Sequence, residues 1–253
     1  MNIKGILLDL SGVLYVDNKP IGGAIEAVGK LNEAGFPVRY ITNTTRSPRA
    51  KTLQRLHDMG FEIREDELYT APLAARQFVL DHDLSPYLLI HPDLEPEFRD
   101  TQTGEFNAVL VGDAGDRFNY DNMNEAFRLL LDGAPLLAMG VNRYFKSGDT
   151  FNLDAGPFVN ALEYASGTGA KVLGKPSRDF YMQAVESIGC KPDECIMVGD
   201  DVESDVIGAL NAGINGILVK TGKYRAAAED LITDKADCVG DINAAVELIL
   251  ENT

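Results

Sequence analysis

The feature that most constrains this chain is its first apolar stretch, Gly5 to Tyr15, which reads GILLDLSGVLY. Ile6, Leu7 and Leu8 form an unbroken apolar run, the pattern of a strand buried on both faces. Strands of that kind sit in parallel sheets covered by helices on either side. The run closes on Asp9, and Ser11 and Gly12 follow at once. A carboxylate at the carboxyl end of a buried strand stands where open α/β sheets hold their ligands. On this stretch alone two readings stay open: Asp9 is a working residue, or it caps a turn.

The rest of the chain alternates accordingly. Ile25, Val28 and Leu31 recur at helical spacing, so a helix is expected over 24–34 with Gly35 as its stop. Phe36 to Thr42 reads as a strand. Ser47 is then expected as an N-cap with Pro48 at the first helical position. A brief strand over 68–70 and a helix from Pro72 complete βαβαβα, which implies a parallel sheet with right-handed crossovers. The middle third is less regular. Strands are expected at 87–91, 108–111 and 135–139, helices at 123–131 and 158–165, and long polar loops at 92–107 and 142–153. From Lys171 strict alternation returns, with strands at 172–173, 195–198 and 217–219 and helices at 180–188, 206–212 and 242–250. The expected fold is α/β: a Rossmann-like parallel sheet core over 1–82 and 171–253, interrupted by an inserted α/β domain over 83–170.

A net charge of −16 opposes binding to nucleic acid or to an anionic membrane surface, both of which need positive patches. It does not exclude an anionic small molecule, because a metal or a local lysine reverses the sign within a site. No apolar run approaches the roughly 18 residues that span a bilayer. The apolar run at the N-terminus is cut short by Asp9 and does not read as a signal peptide. Cys190, Cys195 and Cys238 lack metal-type spacing and read as reduced thiols of a cytoplasmic protein.

Four expected strand ends carry polar groups: Asp9; Thr42 and Asn43; Lys175; and Asp200 with Asp205. In one parallel sheet these ends face the same edge. Clustered carboxylates repel unless a cation sits between them, and hard oxygen ligands suit Mg²⁺. Lys175 and Mg²⁺ would offset the charge of a bound phosphate, while Thr42 and Asn43 offer donors to phosphoryl oxygens. The pattern points to phosphoryl transfer, where positioning and charge stabilisation supply most of the catalysis.

At these residues the sequence resembles the haloacid dehalogenase-like superfamily of hydrolases. Asp9-Leu10-Ser11-Gly12-Val13 resembles its first motif, Thr42-Asn43 its second, Gly174-Lys175-Pro176 its third, and Gly199-Asp200 with Asp205 its fourth. The insert between the second and third motifs resembles the large α/β cap of one subgroup. The run Asp9 to Tyr15, and the pairing of Thr42-Asn43-Thr44-Thr45 with Lys220-Thr221-Gly222-Lys223-Tyr224, resemble the branch of the phospholysine phosphohistidine inorganic pyrophosphate phosphatases and the hydrolase domain-containing protein 2 type. The resemblance implies that Asp9 attacks phosphorus and becomes an aspartyl-phosphate, with Lys175 neutralising nucleophile and phosphate. It implies that Thr42, Asn43 and Thr44 bind the phosphoryl group. It also implies that Asp9, Asp200 and the backbone carbonyl of Ser11 hold Mg²⁺, with Asp205 or Asp201 in support. Relatives of this kind are often dimers through the cap.

Ser11 departs from the wider superfamily, where most phosphatases place an aspartate two residues after the nucleophile as acid and then base. A serine hydroxyl has no useful proton affinity near neutral pH and cannot fill that role. Three consequences stay open: the leaving group needs little help, as in pyrophosphate, acyl or aryl phosphates; another residue moves the proton; or turnover is slow or absent and the protein binds a phosphorylated ligand. The narrower branch shares the serine, which favours the first. A dehalogenase reading leaves the Mg²⁺ carboxylates without a role. Substrate choice is expected in the insert, where Arg143, Tyr144, Phe145 and Lys146 either contact the leaving group or form a solvated loop. Lys220 to Arg225, a basic island, either flanks the active edge or is solvated. Asp154 is expected to start a helix, Gly167-Thr168-Gly169 to form a turn, and His57, His82 and His91 to lie in surface or loop positions.

Overall fold

In this computed structural model the described residues are 3–147, 150–232 and 236–251, with backbone alone for 146 and 147. In chain order the elements are β1 (Gly5–Asp9), β2 (Tyr15–Val16), β3 (Lys19–Pro20), α1 (Ala24–Glu33), β4 (Val38–Thr42), α2 (Arg49–Asp58), β5 (Leu68–Thr70) and α3 (Ala71–Asp81). Then follow β6 (Pro86–Leu89), β7 (Ala108–Val111), α4 (Tyr120–Leu131), β8 (Leu136–Ala138), β9 (Tyr144–Ser147), β10 (Thr150–Leu153), α5 (Ala155–Ser166) and β11 (Lys171–Val172). The chain closes with α6 (Arg178–Glu186), β12 (Cys195–Gly199), α7 (Gly208–Asn211), β13 (Asn215–Val219), β14 (Ala236–Val239) and α8 (Ile242–Glu251). Among the described residues no helix is long and apolar enough to cross a membrane.

The elements divide into two compact units. The first takes in Met1–Thr42, Thr52–Tyr69 and Lys175–Thr253; the second takes in Asn43–Lys51 and Thr70–Gly174. The insert expected over 83–170 lies within the second unit, which also includes 43–51, 70–82 and 171–174. The reason is packing: the buried face of α3 (Ala71, Ala75, Val79) shares a core with Ile90, Leu110 and Leu137 of the second unit.

The sheet of the first unit has the order β14-β13-β12-β1-β4-β5. β1 lies centrally, parallel to β12 on one side (Leu8 opposite Val198) and to β4 on the other (Leu8 opposite Tyr40). Ile6 and Leu8 pack on one face with α1 and α8, through Ala27, Val28, Leu31, Val246 and Ile249. Leu7 points to the opposite face and is equally buried. The chain leaves β1 toward β4 and β5 and returns on its other side at β12, so the strand order reverses beside β1. Such a reversal opens a crevice at the carboxyl ends of the strands.

The second unit has a four-stranded parallel sheet, β11-β8-β7-β6, with apolar clusters on both faces. Asp154 caps α5 by accepting the Ala155 N–H, as its position foretells. Several expectations are corrected here. The strand at 171–172 pairs with β8 of the second sheet, not with the first; its short apolar run suits either sheet. The polar stretch after Pro92 coils into a 3-10 helix, Pro92–Thr101, with Leu94 and Phe98 buried one turn apart. Part of the stretch expected as a loop over 142–153 forms the antiparallel hairpin β9–β10, whose β10 residues are all exposed. α2 starts at Arg49, one residue later than expected, and its first N–H donates to Glu97 Oε1 at 2.6 Å. The helix expected from Val206 is preceded by a π turn, Val202–Ile207.

Candidate active site

Asp9 ends β1, Thr42 ends the adjacent β4 on the same edge, and Asp200 directly follows β12 on the other side. All three are buried. Asp205 arrives from the π turn over Val202–Ile207. A Cβ at Gly199 would lie 2.2 Å from Asp205 Cβ, so glycine at 199 is what lets that turn fold back onto β12. Tyr181 of α6 anchors the turn by donating its hydroxyl to the carbonyls of Ser204 (2.6 Å) and Asp205 (3.0 Å). Lys175 reaches the cluster from the segment before α6 rather than from the end of a strand of this sheet, as the four-strand-end pattern had implied.

The side chains converge. Lys175 Nζ donates to Asp9 Oδ1 and, at 2.7 Å, to Asp205 Oδ1. Asp9, Asp200 and Asp205 each bring a carboxylate oxygen to within 4.8 Å of the others. Burial opposes the charge on Lys175, but the carboxylates of Asp205 and Asp9 outweigh it and hold the ammonium's pKa above its usual value. Asp200 is pushed well above the ordinary carboxylate range by burial, then by Asp9 and Asp205. Burial also raises Asp205, to about 7, although Lys175 pulls the other way. Among the described residues three buried carboxylates meet at the Lys175 ammonium, with Lys223 acting on Asp200 from the edge. Such a set of hard oxygens with uncompensated charge fits a divalent cation of the Mg²⁺ type.

A loop after β13 closes over this edge. Lys223 N donates to Asp200 Oδ2 at 2.6 Å, and Lys223 Nζ lies 3.1 Å from Asp201 Oδ2. The sequence pattern left this basic island evenly divided between two roles; the structure places it against the acidic cluster. Asp201 is not at the shared point of the cluster. It caps the π turn, accepting the N–H groups of Glu203 and Ser204, and its own N–H donates to Asp205 Oδ2 at 3.1 Å. Burial works against its charge, but Lys223 prevails and holds Asp201 below its usual range.

Ser11 is exposed and bridges to Tyr15, whose carbonyl accepts the Gly12 N–H. Asn43 and Thr44 belong to the second unit, where Asn43 lies against Gly140 and Gly174. Of the expected insert cluster, Tyr144 and Phe145 sit on β9, while the side chain of Lys146 lies outside the described residues. Tyr144 makes an edge contact with Phe151, and the Phe145 ring carries the Arg46 guanidinium at 4.7 Å. Arg46 in turn forks onto the buried Asp113, a pair that no sequence motif announces. The histidines have local partners: Ile63 O for His57, Phe78 for His82 and the Asp93 N–H for His91.

Comparison with known proteins agrees with this geometry. The family model described as haloacid dehalogenase-like hydrolase matches residues 6–103, and that described as HAD-hydrolase-like matches 172–245. The chain is 48% identical over 230 residues to the haloacid dehalogenase-like hydrolase domain-containing protein 2 of Bos taurus, covering 91% of this chain and 89% of that protein. The chain belongs to the haloacid dehalogenase-like hydrolases. Within the family it is also 41% identical over 258 residues to the phospholysine phosphohistidine inorganic pyrophosphate phosphatase of Danio rerio, with 99% and 96% of the two chains covered. Among solved structures, a p-nitrophenyl phosphatase from Archaeoglobus fulgidus superposes with a TM-score of 0.89 at 26% identity, over 98% of this chain and all of that one.

Proposed function

We propose that this member of the family is a Mg²⁺-dependent phosphatase acting on a phosphorylated small molecule through an aspartyl-phosphate on Asp9. The observation that carries the reading is the buried constellation of Asp9, Lys175, Asp200 and Asp205 at the carboxyl edge of the sheet. Asp9 attacks phosphorus as its free carboxylate oxygen displaces the leaving group. Lys175 holds the other oxygen and offsets the charge of the incoming phosphate. Asp205 orients Lys175, while Thr42, Asn43 and Thr44 serve the phosphoryl oxygens. Asp9, Asp200 and the Ser11 carbonyl would hold Mg²⁺, with Asp205 in support; the bound ion would supply charge neutralisation for the phosphoryl oxygens. Water then cleaves the acyl phosphate and frees Asp9.

With serine at position 11, the fitting substrates are those that need no proton from the enzyme: pyrophosphate, acyl and aryl phosphates, whose leaving groups are weakly basic, and N-phosphorylated compounds, whose nitrogen takes its proton from solvent before the bond breaks. The names of the relatives fit, since one is a pyrophosphate, phospholysine and phosphohistidine phosphatase and another a p-nitrophenyl phosphatase. The same position favours a second reading, a phospho-ligand-binding protein of slow or no turnover. A cytoplasmic location agrees with three free cysteines. A homodimer through the second unit would use the exposed Tyr144, Phe151 and Leu153 of the β9–β10 hairpin; sedimentation tests it.

The deciding experiment is hydrolysis of p-nitrophenyl phosphate with and without Mg²⁺, comparing wild type with Asp9→Asn. Mg²⁺-dependent release of nitrophenol by wild type alone is expected. Equal rates for the two proteins refute the nucleophile, and measurable phosphate binding without turnover by wild type favours the binding protein.

A further inference from the structure

The loop after β13 does more than border the acidic cluster. Two of its residues lie against Asp200 and a third ties the loop down beside it. Lys223 donates its main-chain N–H to Asp200 Oδ2 at 2.6 Å. Gly222 adopts a φ of +58°, and a Cβ there would fall 2.0 Å from the same oxygen and 2.5 Å from Gly12 Cα. Thr221 donates its hydroxyl to the carbonyl of Gly12, tying the loop to the segment that follows Asp9. Gly12 itself has a φ of +92°, and a Cβ on it would also fall 2.0 Å from Asp200 Oδ2. The carboxylate is therefore seated between two backbones that approach this closely only because both residues are glycines. The Lys223 ammonium meanwhile holds Asp201, the residue that caps the turn carrying Asp205. One short loop thus touches Asp200 directly and, through Asp201, the turn that carries Asp205.

We propose that Thr221-Gly222-Lys223 is a positioning strap that fixes the Asp200 carboxylate for a divalent cation, so that the strap sets how tightly the site holds that cation. The inference rests on the phosphatase reading above, because it takes Asp200 as a cation ligand. Its chemistry is that of an outer shell. A ligand oxygen held by a main-chain N–H and walled by two glycines keeps one orientation, and partners of this kind typically change metal affinity by about 10–100-fold when removed.

The test uses three charge-neutral variants, so that any change in affinity is geometric and not coulombic. Thr221→Val removes the tie to Gly12, Thr221→Ser keeps it, and Gly222→Ala drives a methyl onto Asp200 Oδ2. Mg²⁺ binding is measured by titration calorimetry on the full chain without substrate, with melting in EDTA to verify folding. Thr221→Val and Gly222→Ala are expected to bind Mg²⁺ about 10–100-fold more weakly than wild type, with Thr221→Ser close to wild type. Amide hydrogen exchange at Lys223 gives a readout that needs no variant: the N–H is expected to be protected in wild type and to slow further with Mg²⁺. Wild-type affinity in folded Thr221→Val, or open-loop exchange at the Lys223 amide, overturns the strap and leaves the phosphatase reading standing. A wild type that binds no Mg²⁺ and hydrolyses without it overturns both.

Discussion

Replacing Lys175 by methionine removes one charge from a place where it has two partners and almost no solvent. The side chain is 4% exposed and sits between the carboxylates of Asp9 and Asp205, themselves 9% and 1% exposed. Methionine keeps the length of the stem but leaves two buried carboxylates facing each other, with Asp200 beside them. Removing one partner of a buried pair costs about 3–5 kcal/mol, because the remaining charge is left uncompensated. For a chain of this size about 2–4 °C is lost per kcal/mol, so the melting temperature without divalent cation falls by roughly 6–20 °C. Neutralising Asp205 as well, in the Lys175→Met/Asp205→Asn double variant, should recover part of the loss, with a coupling of about 0.5–3 kcal/mol.

Catalysis should suffer in parallel, since the Lys175 ammonium donates directly to Asp9. Loss of a single preorganised donor to developing charge lowers kcat by about 10²–10³-fold. The assays are calorimetric melting in EDTA and p-nitrophenyl phosphate hydrolysis at saturating Mg²⁺. A Lys175→Met protein that melts with wild type, or whose loss adds simply to that of Asp205→Asn, would refute the picture of a single coupled charge cluster.

Two further outcomes follow from the same geometry. Ser11→Asp should speed hydrolysis of alkyl phosphates by up to about 10²–10⁴-fold if a missing proton donor limits turnover, while aryl phosphates change little; an unchanged alkyl rate in a steady-state assay counts against that account. Mg²⁺ at about a hundred times its Kd should stabilise the chain by ~2.7 kcal/mol, roughly 5–10 °C in melting temperature. The effect has a pH signature. Asp200 and Asp205 titrate above the ordinary carboxylate range when folded, Asp205 at about 7. Their contribution is present at acid pH and is lost as the pH rises through those folded values, so the EDTA melting temperature should fall from about pH 4 to pH 7 while Mg²⁺ flattens the decline.

The centre of the fold was legible because β1 is buried on both faces, and only a parallel sheet between helices asks for Ile6-Leu7-Leu8 in a row. Thr42 and Asp200 were legible for the same reason, as polar groups closing apolar runs. Lys175 was found for its residue type but misplaced in the sheet. Val172 and Leu173 are too short a run to specify a neighbour, and β11 pairs with β8 instead. β14 was missed because an edge strand reading Ala-Asp-Cys-Val is half-buried throughout and carries no alternation. The β9–β10 hairpin hid for the opposite reason: β10 is exposed, so neither period nor burial marked it. The 3-10 segment after His91 was obscured by Pro92 and Pro96, which read as breakers although Leu94 and Phe98 keep a helical spacing. The hold on Asp200 escaped because it is made by main chain. Gly222 and the Lys223 N–H act through backbone, and in the sequence the segment showed only as a basic island and as part of a family resemblance.

The two readings of Ser11 differ in what they ask of Asp9. A protein that only binds a phosphorylated ligand gains less from a carboxylate on β1, since two anions at contact repel strongly where water is excluded unless a cation lies between them. Asparagine at position 9 would accept and donate hydrogen bonds there without that penalty. Burying Asp9 with Asp200 and Asp205 around one ammonium also lowers stability, as the raised values of Asp200 and Asp205 express. Strain of this sort persists where it serves chemistry. Beyond the charge it offers Lys175 and a cation, what the carboxylate adds over an amide at that point is nucleophilicity. The four charged groups therefore weigh toward turnover, in line with the proposal that Ser11 narrows the leaving group.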